Sequence, residues 1–269
     1  MTAEGSVVAL WRYPVKSMQG EELNATAVTE HGLRGDRAFA LVDADGGRVA
    51  SAKNPRKWPG LFDYRAAFTR PLDGGPLPPV RITLPDGAVV TSEDAGRDQA
   101  LSAALGRSVS LRGTAPDNPV LEEYWPDIEG LPHRDHVTDE RMPPGTFFDL
   151  APVHLLTTAT LGRLRELYPP GRFEGRRFRP NFVVAADSGE AGFVEQGWVG
   201  RTLRLGDEVR LQVTGPCGRC VMTTLAQSDL PADPGILRTA VRHAGGHVGV
   251  YATVLRGGTV RRGDRVRLE

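Results

Sequence analysis

The residues best equipped for chemistry are the only two cysteines. They lie in the stretch Thr214-Gly215-Pro216-Cys217-Gly218-Arg219-Cys220-Val221-Met222-Thr223-Thr224. A thiolate rather than a thiol is the nucleophile and the metal ligand, and a neighbouring guanidinium favours the thiolate. Both cysteines fall in a Gly/Pro turn after the alternating run Val209 to Val213, where a purely packing cysteine is not expected. Thiol–disulfide exchange of the thioredoxin kind needs the pair at a helix N-terminus, whereas Val221 to Leu225 reads as extended. Zinc would need two further ligands, and Gly245-Gly246 interrupts any helix that could carry His243 and His247 together. One reactive thiol suffices for a metal or a reactive site, so Cys217, directly after Pro216, reads as structural.

Four polar clusters elsewhere could serve such a thiol: Lys16-Ser17, Arg34 to Arg37, Thr157-Thr158 and Arg176 to Asn181. Each offers cations, hydroxyls or amides near a strand end or helix start, the groups that bind phosphate or a polar heterocycle. Thr157-Thr158 alone is an ordinary helix cap, and Arg37 and Arg179 alone could be surface ion pairs. The clusters matter only if the fold brings them to the thiol.

The elements that must do this are mostly strands. Ser6 to Tyr13, Ala38 to Val42, Tyr64 to Thr69, Val80 to Leu84, Ala88 to Thr91, Phe182 to Ala186, Leu203 to Leu211 and His247 to Arg256 read as short strands or hairpins. Three modest helices are expected: one capped by Ser92 and stopped by Gly106, one capped by Thr157 or Thr158, and one capped by Asp233 with Pro234 at its first position. Val209 to Leu211 and Val266 to Leu268 follow matching Gly-Asp turns, as two equivalent corners of one barrel would. From Gly113 to Pro152 the chain reads as a long loop rich in Pro, Asp, Glu and His, which marks a junction or flap. The expected architecture is mainly β with a few helices, an α+β chain of β-barrel type, divided into residues 1–115 and 116–269.

Composition sets the remaining bounds. The chain has 269 residues, 40% hydrophobic and 25% charged, with a formal net charge of zero. That balance gives no field to draw in nucleic acid or an anionic membrane. No apolar run reaches the roughly 20 residues of a membrane span, and Met1 to Arg12 lacks a secretory pattern. Lysine occurs only at Lys16, Lys53 and Lys57 amid many arginines, a usage expected of a GC-rich bacterial genome. Two cysteines make no disulfide framework, so a reduced, cytoplasmic protein is expected.

Tyr13-Pro14-Val15-Lys16-Ser17, Gly32-Leu33-Arg34-Gly35-Asp36-Arg37, Phe178-Arg179-Pro180-Asn181 and Cys217-Gly218-Arg219-Cys220-Val221-Met222-Thr223-Thr224 follow one another along the chain. In this order they resemble the MOSC family, named for the C-terminal domain of molybdenum-cofactor sulfurase, joined to its partner N-terminal β-barrel domain. The resemblance covers nearly the whole chain and is strongest to bacterial relatives of the mitochondrial amidoxime-reducing component. It implies a MOSC barrel behind a smaller N-terminal β-barrel-like domain, and a molybdenum cofactor (molybdopterin) rather than pyridoxal phosphate. It further implies that Cys220 ligates the metal, a soft thiolate suiting a sulfur-rich centre, with Arg219 offsetting its charge as the second catalytic residue. Lys16, Ser17 and Arg37 would hold the pterin and its phosphate tail, and Thr157 and Thr158 would add hydroxyls and amides. Arg179 and Asn181 would hold the pterin from the other side, and Tyr251 would line the pocket. The implied reaction is two-electron reduction of the N–O bond of an amidoxime, hydroxylamine or hydroxylaminopurine. Electrons would come from a separate flavin reductase or ferredoxin-type protein. A non-catalytic carrier of the cofactor or of persulfide sulfur, and a Cys-x-x-Cys redox protein, are the alternatives. The proton donor is open, with His133, Asp135, His136, His243 and His247 as candidates.

Overall fold

Strands from both ends of the chain close one barrel. The computed structural model describes residues 4–186 and 191–269. Around the barrel the order is Phe182–Ala186, Val153–Thr157, His247–Arg256, Val209–Gly218, Thr202–Leu205, Arg265–Leu268 and Glu4–Arg12, and the last pairs back to Phe182–Ala186. This closed seven-stranded barrel leaves none of the seven as an open edge. Period-two side chains dictate it. Leu203, Leu205, Leu211, Val213, Val266 and Leu268 point into the buried interior, while Arg204, Arg210, Arg265 and Arg267 alternate with them on the outside. A barrel of this size is filled by its own side chains.

The N-terminal half adds smaller sheets. Arg65–Phe68, Val80–Thr83 and Val89–Thr91 form a three-stranded meander, and Ala40–Asp43 pairs with Val109–Arg112. They enclose a second core of Val15, Met18, Leu41, Trp58, Phe62, Tyr64, Ile82 and Leu101. The expected division at residue 115 is crossed in both directions. The opening strand, Glu4–Arg12, is built into the barrel, and Gly258–Arg261 pairs with Ala25–Thr29. Met222, two residues past Cys220, is buried in the N-terminal core.

Two helices match the sequence reading closely. Thr158–Leu167 is capped by Thr157, and Pro234–Ala244 by Asp233 with Gly245 in the left-handed C-cap. The first helix starts later than expected, at Arg97, because the Ser92 hydroxyl accepts from Val80 N instead of capping it. The long loop of 113–152 contains a hairpin, Val120–Trp125 with His136–Arg141. Its two glutamates, on opposite faces of the strand, are each paired with a lysine of the N-terminal half, Lys53 to Glu123 at 2.9 Å and Lys57 to Glu122 at 2.7 Å. Val221–Thr224 is a 3-10 turn, not a strand. The Thr223 and Thr224 hydroxyls donate back to the Cys220 and Val221 carbonyls and so compete with extension.

Candidate functional site

The cysteine strand carries three register shifts, and the last two, between Val213 and Gly215 and between Pro216 and Gly218, flank the approach to the cysteines. Bulges re-aim side chains, and here the strand leaves the barrel at its junction with the N-terminal half. A cavity lies at that junction. Its walls include Lys16, Ser17, Arg37, Lys53, Asp149, His154, Arg179, Asn181, Cys217, Arg219, Cys220 and Tyr251. The fold therefore gathers Lys16-Ser17, Arg37, Arg179-Asn181, Arg219-Cys220 and Tyr251 around one space, although they span most of the chain.

The backbone there is strained. Ser17, Arg37 and Arg179 all adopt left-handed φ values, of 62°, 48° and 56°. Non-glycine residues seldom do so, at about 1–2 kcal/mol each, and strain of this kind gathers at functional sites. Buried Asp36 holds the arrangement. Its carboxylate accepts from Tyr13 N at 2.7 Å, from Asn181 Nδ2 at 2.9 Å and from the Arg37 guanidinium. The guanidiniums of Arg37 and Arg179 then pack on the Tyr13 ring at 4.5 and 4.1 Å. Arg179 also donates to the Met18 carbonyl at 2.7 Å. Burial, and then the neighbouring Arg37, lower its pKa to about 10.

Not every expected residue faces the cavity with free groups. The Asn181 amide is spent on protein contacts: its oxygen accepts from His154 N at 3.0 Å and its nitrogen donates to Asp36. Asn181 therefore fixes the barrel to the Asp36 loop. The Thr157 hydroxyl accepts from Thr160 N and donates to buried Glu195 at 2.6 Å, and Thr158 is exposed on its helix. Neither threonine lines the cavity. His133, Asp135, His136, His243 and His247 also lie outside its walls. Asp135 pairs instead with Arg56 at 2.7 Å.

Three ionisable wall residues were not singled out from sequence: Lys53, Asp149 and His154. Lysine scarcity is the signal that could have marked Lys53, because two of the three lysines line this cavity. Burial alone would push the Asp149 carboxyl up. The ammoniums of Lys16 and Lys53, the hydrogen bond from Lys16 and the Arg37 charge instead hold it well below the usual carboxylate range. Burial lowers Lys16, which Asp149 offsets in part. Lys53 is raised well above its ordinary value, because Asp149, Cys220 and Glu123 outweigh its burial. Burial also pushes Tyr251 well above the ordinary phenol range.

The two thiols differ. Cys220 is half-buried, and burial together with the Glu123 carboxylate pushes it up to about 11 despite Lys53 and Arg219. A soft metal removes such a proton on binding. Cys217 is buried and accepts from Arg219 Nη1 at 2.8 Å. The turn after Cys220 is clamped by fully buried Arg177, which donates to the carbonyls of Arg172, Thr223, Leu225 and Pro231 at 3.0–3.1 Å.

Among the described residues no helix is long and apolar enough to cross a membrane. The family description "MOSC domain" matches residues 142–267, and "MOSC N-terminal beta barrel domain" matches residues 4–75. Mitochondrial amidoxime-reducing component 1 of Homo sapiens is 27% identical over 239 residues, covering 82% of this chain and 66% of its own length. The Mus musculus counterpart is 28% identical over 233 residues with the same coverage. The chain thus spans 66% of the length of these relatives. Among solved structures, the YuaD protein from Bacillus subtilis superposes with a TM-score of 0.51 at 14% identity, over 100% of this chain and 97% of that one, a likeness of fold. By its two matched domains, the chain belongs to the MOSC domain family and carries the N-terminal MOSC β-barrel domain in front.

Proposed function

We propose that the chain is a molybdenum-cofactor-dependent reductase of N-hydroxylated compounds such as amidoximes, hydroxylamines and hydroxylaminopurines. One observation carries the reading. A half-buried thiol, Cys220, faces a cavity that also receives Lys16, Arg37, Lys53, Arg179 and Arg219. A soft sulfur donor ringed by cations suits a metal bound through sulfur with an anionic phosphate tail. The cavity also has buried polar atoms that await an acceptor or donor. Arg219 Nε and His154 Nε2 have no hydrogen-bond partner among the described residues. The residues fit the group.

Cys220 would ligate the metal. Lys16 and Arg37 would hold the phosphate end, joined by Ser17, whose oxygen accepts from Ala52 N at 3.0 Å and leaves its hydrogen to donate. Arg179 would meet the pterin and Tyr251 would line the pocket. The bound cofactor supplies two-electron reduction of an N–O bond, and the protein orients the substrate and sets the charge around it. Losing the oxygen as water requires protons. Lys53 and Tyr251, both protonated at neutral pH and both in the wall, are the sources at hand. Asp149, an ionised carboxylate, cannot serve. Phe148 and Leu150 add apolar side chains to the wall, Leu150 from its exposed rim. Electrons come from a separate one-electron donor of flavin or iron–sulfur type, and the setting is a reducing bacterial cytoplasm, in which both thiols stay free.

The relatives named amidoxime-reducing components support this substrate class. The test is benzamidoxime reduction by cofactor-loaded protein with an artificial one-electron donor. Turnover that vanishes in Cys220→Ala is expected. Loaded protein that is inert in this assay would favour the carrier instead.

A further inference from the structure

The proposed chemistry leaves Cys217 unused, yet its surroundings are those of a charged group. Its side chain is 1% exposed. Arg219 Nη1 lies 2.8 Å from its Sγ, so a guanidinium donates directly to the buried sulfur. The His154 ring and the Tyr251 hydroxyl face the same sulfur from neighbouring strands. Gly249 clears the room for this. It sits at a left-handed φ of 80°, and a Cβ there would lie 2.4 Å from His154 Nε2 and 2.6 Å from the Leu155 carbonyl. His154 is itself only 6% exposed, with Nε2 unpartnered among the described residues. Burial would push the Cys217 thiol up, but Arg219, then His154 and Tyr251, outweigh it and hold the thiol below its ordinary value. A buried anion is tolerable only when paired and hydrogen-bonded in this way.

Arg219 depends on the same contact. Its Nη2 donates to the Phe178 carbonyl at 2.9 Å, Nη1 is held by Cys217, and buried Nε is left without a partner beside the cavity. Without the sulfur, the guanidinium would keep one hydrogen bond, to the Phe178 carbonyl, and its packing on the Phe178 ring at 5.6 Å. We infer that Cys217 is a resident thiolate anchor that fixes the Arg219 guanidinium in the Cys220 cavity, so that one cysteine binds and the other positions. Cys217 is then not the neutral packing residue that its place after Pro216 suggests.

The anchor itself is tested without cofactor, whereas its consequence for binding rests on the function proposed above. In the cofactor-free full chain at neutral pH, ultraviolet thiolate absorbance should count one thiolate. Cys217→Ser and Arg219→Gln should abolish it, and Cys220→Ala should leave it. In loaded protein, Cys217→Ser should release the cofactor about tenfold faster or more, the factor that goes with losing one charged hydrogen bond. Cys217→Asp, which restores an anion, should recover much of that retention. A packing role predicts the reverse order, with serine tolerated and aspartate not. A folded wild-type chain without a thiolate, or a Cys217→Ser variant that matches wild type in both measurements, overturns the anchor. Failure of the cofactor reading would look different: a wild-type chain that takes up no molybdenum while its thiolate is still present.

Discussion

Replacing Arg177 by lysine should be among the most damaging charge-conserving changes in the chain, and the same change at Arg176 among the mildest. The Arg177 side chain is fully buried, and three separate nitrogens reach four carbonyls, two of which belong to Thr223 and Leu225 just after Cys220. A lysine presents its donors from a single atom and cannot span that fork. At least two carbonyls lose their donor, at about 1–3 kcal/mol each, so Arg177→Lys should cost about 2–6 kcal/mol. For a domain of this size the midpoint should fall by about 10 °C. Arg176 is partly exposed and pairs with Glu174 and Asp229 on the surface, so Arg176→Lys should stay within about 1 kcal/mol. Urea unfolding of the two variants measures the difference. Amide exchange at Thr223 and Leu225 should accelerate in Arg177→Lys alone. Equal unfolding midpoints for the two variants would refute the clamp.

Asp36→Ala should destabilise by about 3–5 kcal/mol, the cost of breaking a buried pair, and should lower cofactor content, since Arg37 and Asn181 lose their shared partner. Full cofactor content in a folded Asp36→Ala protein would count against its positioning role. Gly249→Ala should cost about 2–4 kcal/mol from backbone strain and overpacking, because its Cβ meets both His154 and the Leu155 carbonyl; an unchanged urea midpoint would contradict this. Asp149 governs acid sensitivity. Its folded-state pKa is depressed, so its stabilisation is present above about pH 4, the ordinary aspartate value, and is lost as pH falls toward the lower folded value. Wild-type stability should therefore fall more steeply than that of Asp149→Asn between neutral and acid pH, and parallel curves would exclude the assignment.

The barrel strands were legible because period-two patterns such as Leu203 to Leu211 and Arg265 to Leu268 survive in a half-buried sheet. Caps at Thr157 and Asp233 were equally plain, since each satisfies a local donor. The hairpin of Val120–Trp125 with His136–Arg141 was hidden because its glutamates are neutralised by Lys53 and Lys57, far away in sequence. The turn at Val221–Thr224 reads as extended in sequence because its threonine hydroxyls can serve either state, and tertiary packing of Met222 decides between them. Within the site, the motif residues Lys16, Arg37, Arg179 and Cys220 could be named, but not their roles. Whether the Asn181 amide meets a ligand or Asp36 depends on the docking of two halves, which no local pattern encodes. The same holds for Cys217: spacing shows it beside an arginine, whereas only the fold brings His154 and Tyr251 to it.

The central claim is that Cys220 holds a molybdenum cofactor in this cavity. Metal and pterin analysis of the full chain, expressed in a host that makes the cofactor, tests it most directly. Wild-type protein should carry molybdenum and pterin in near-equal amounts to the chain, and folded Cys220→Ala should carry none. A wild-type chain without molybdenum, or a Cys220→Ala chain that binds as much of it, would contradict the account.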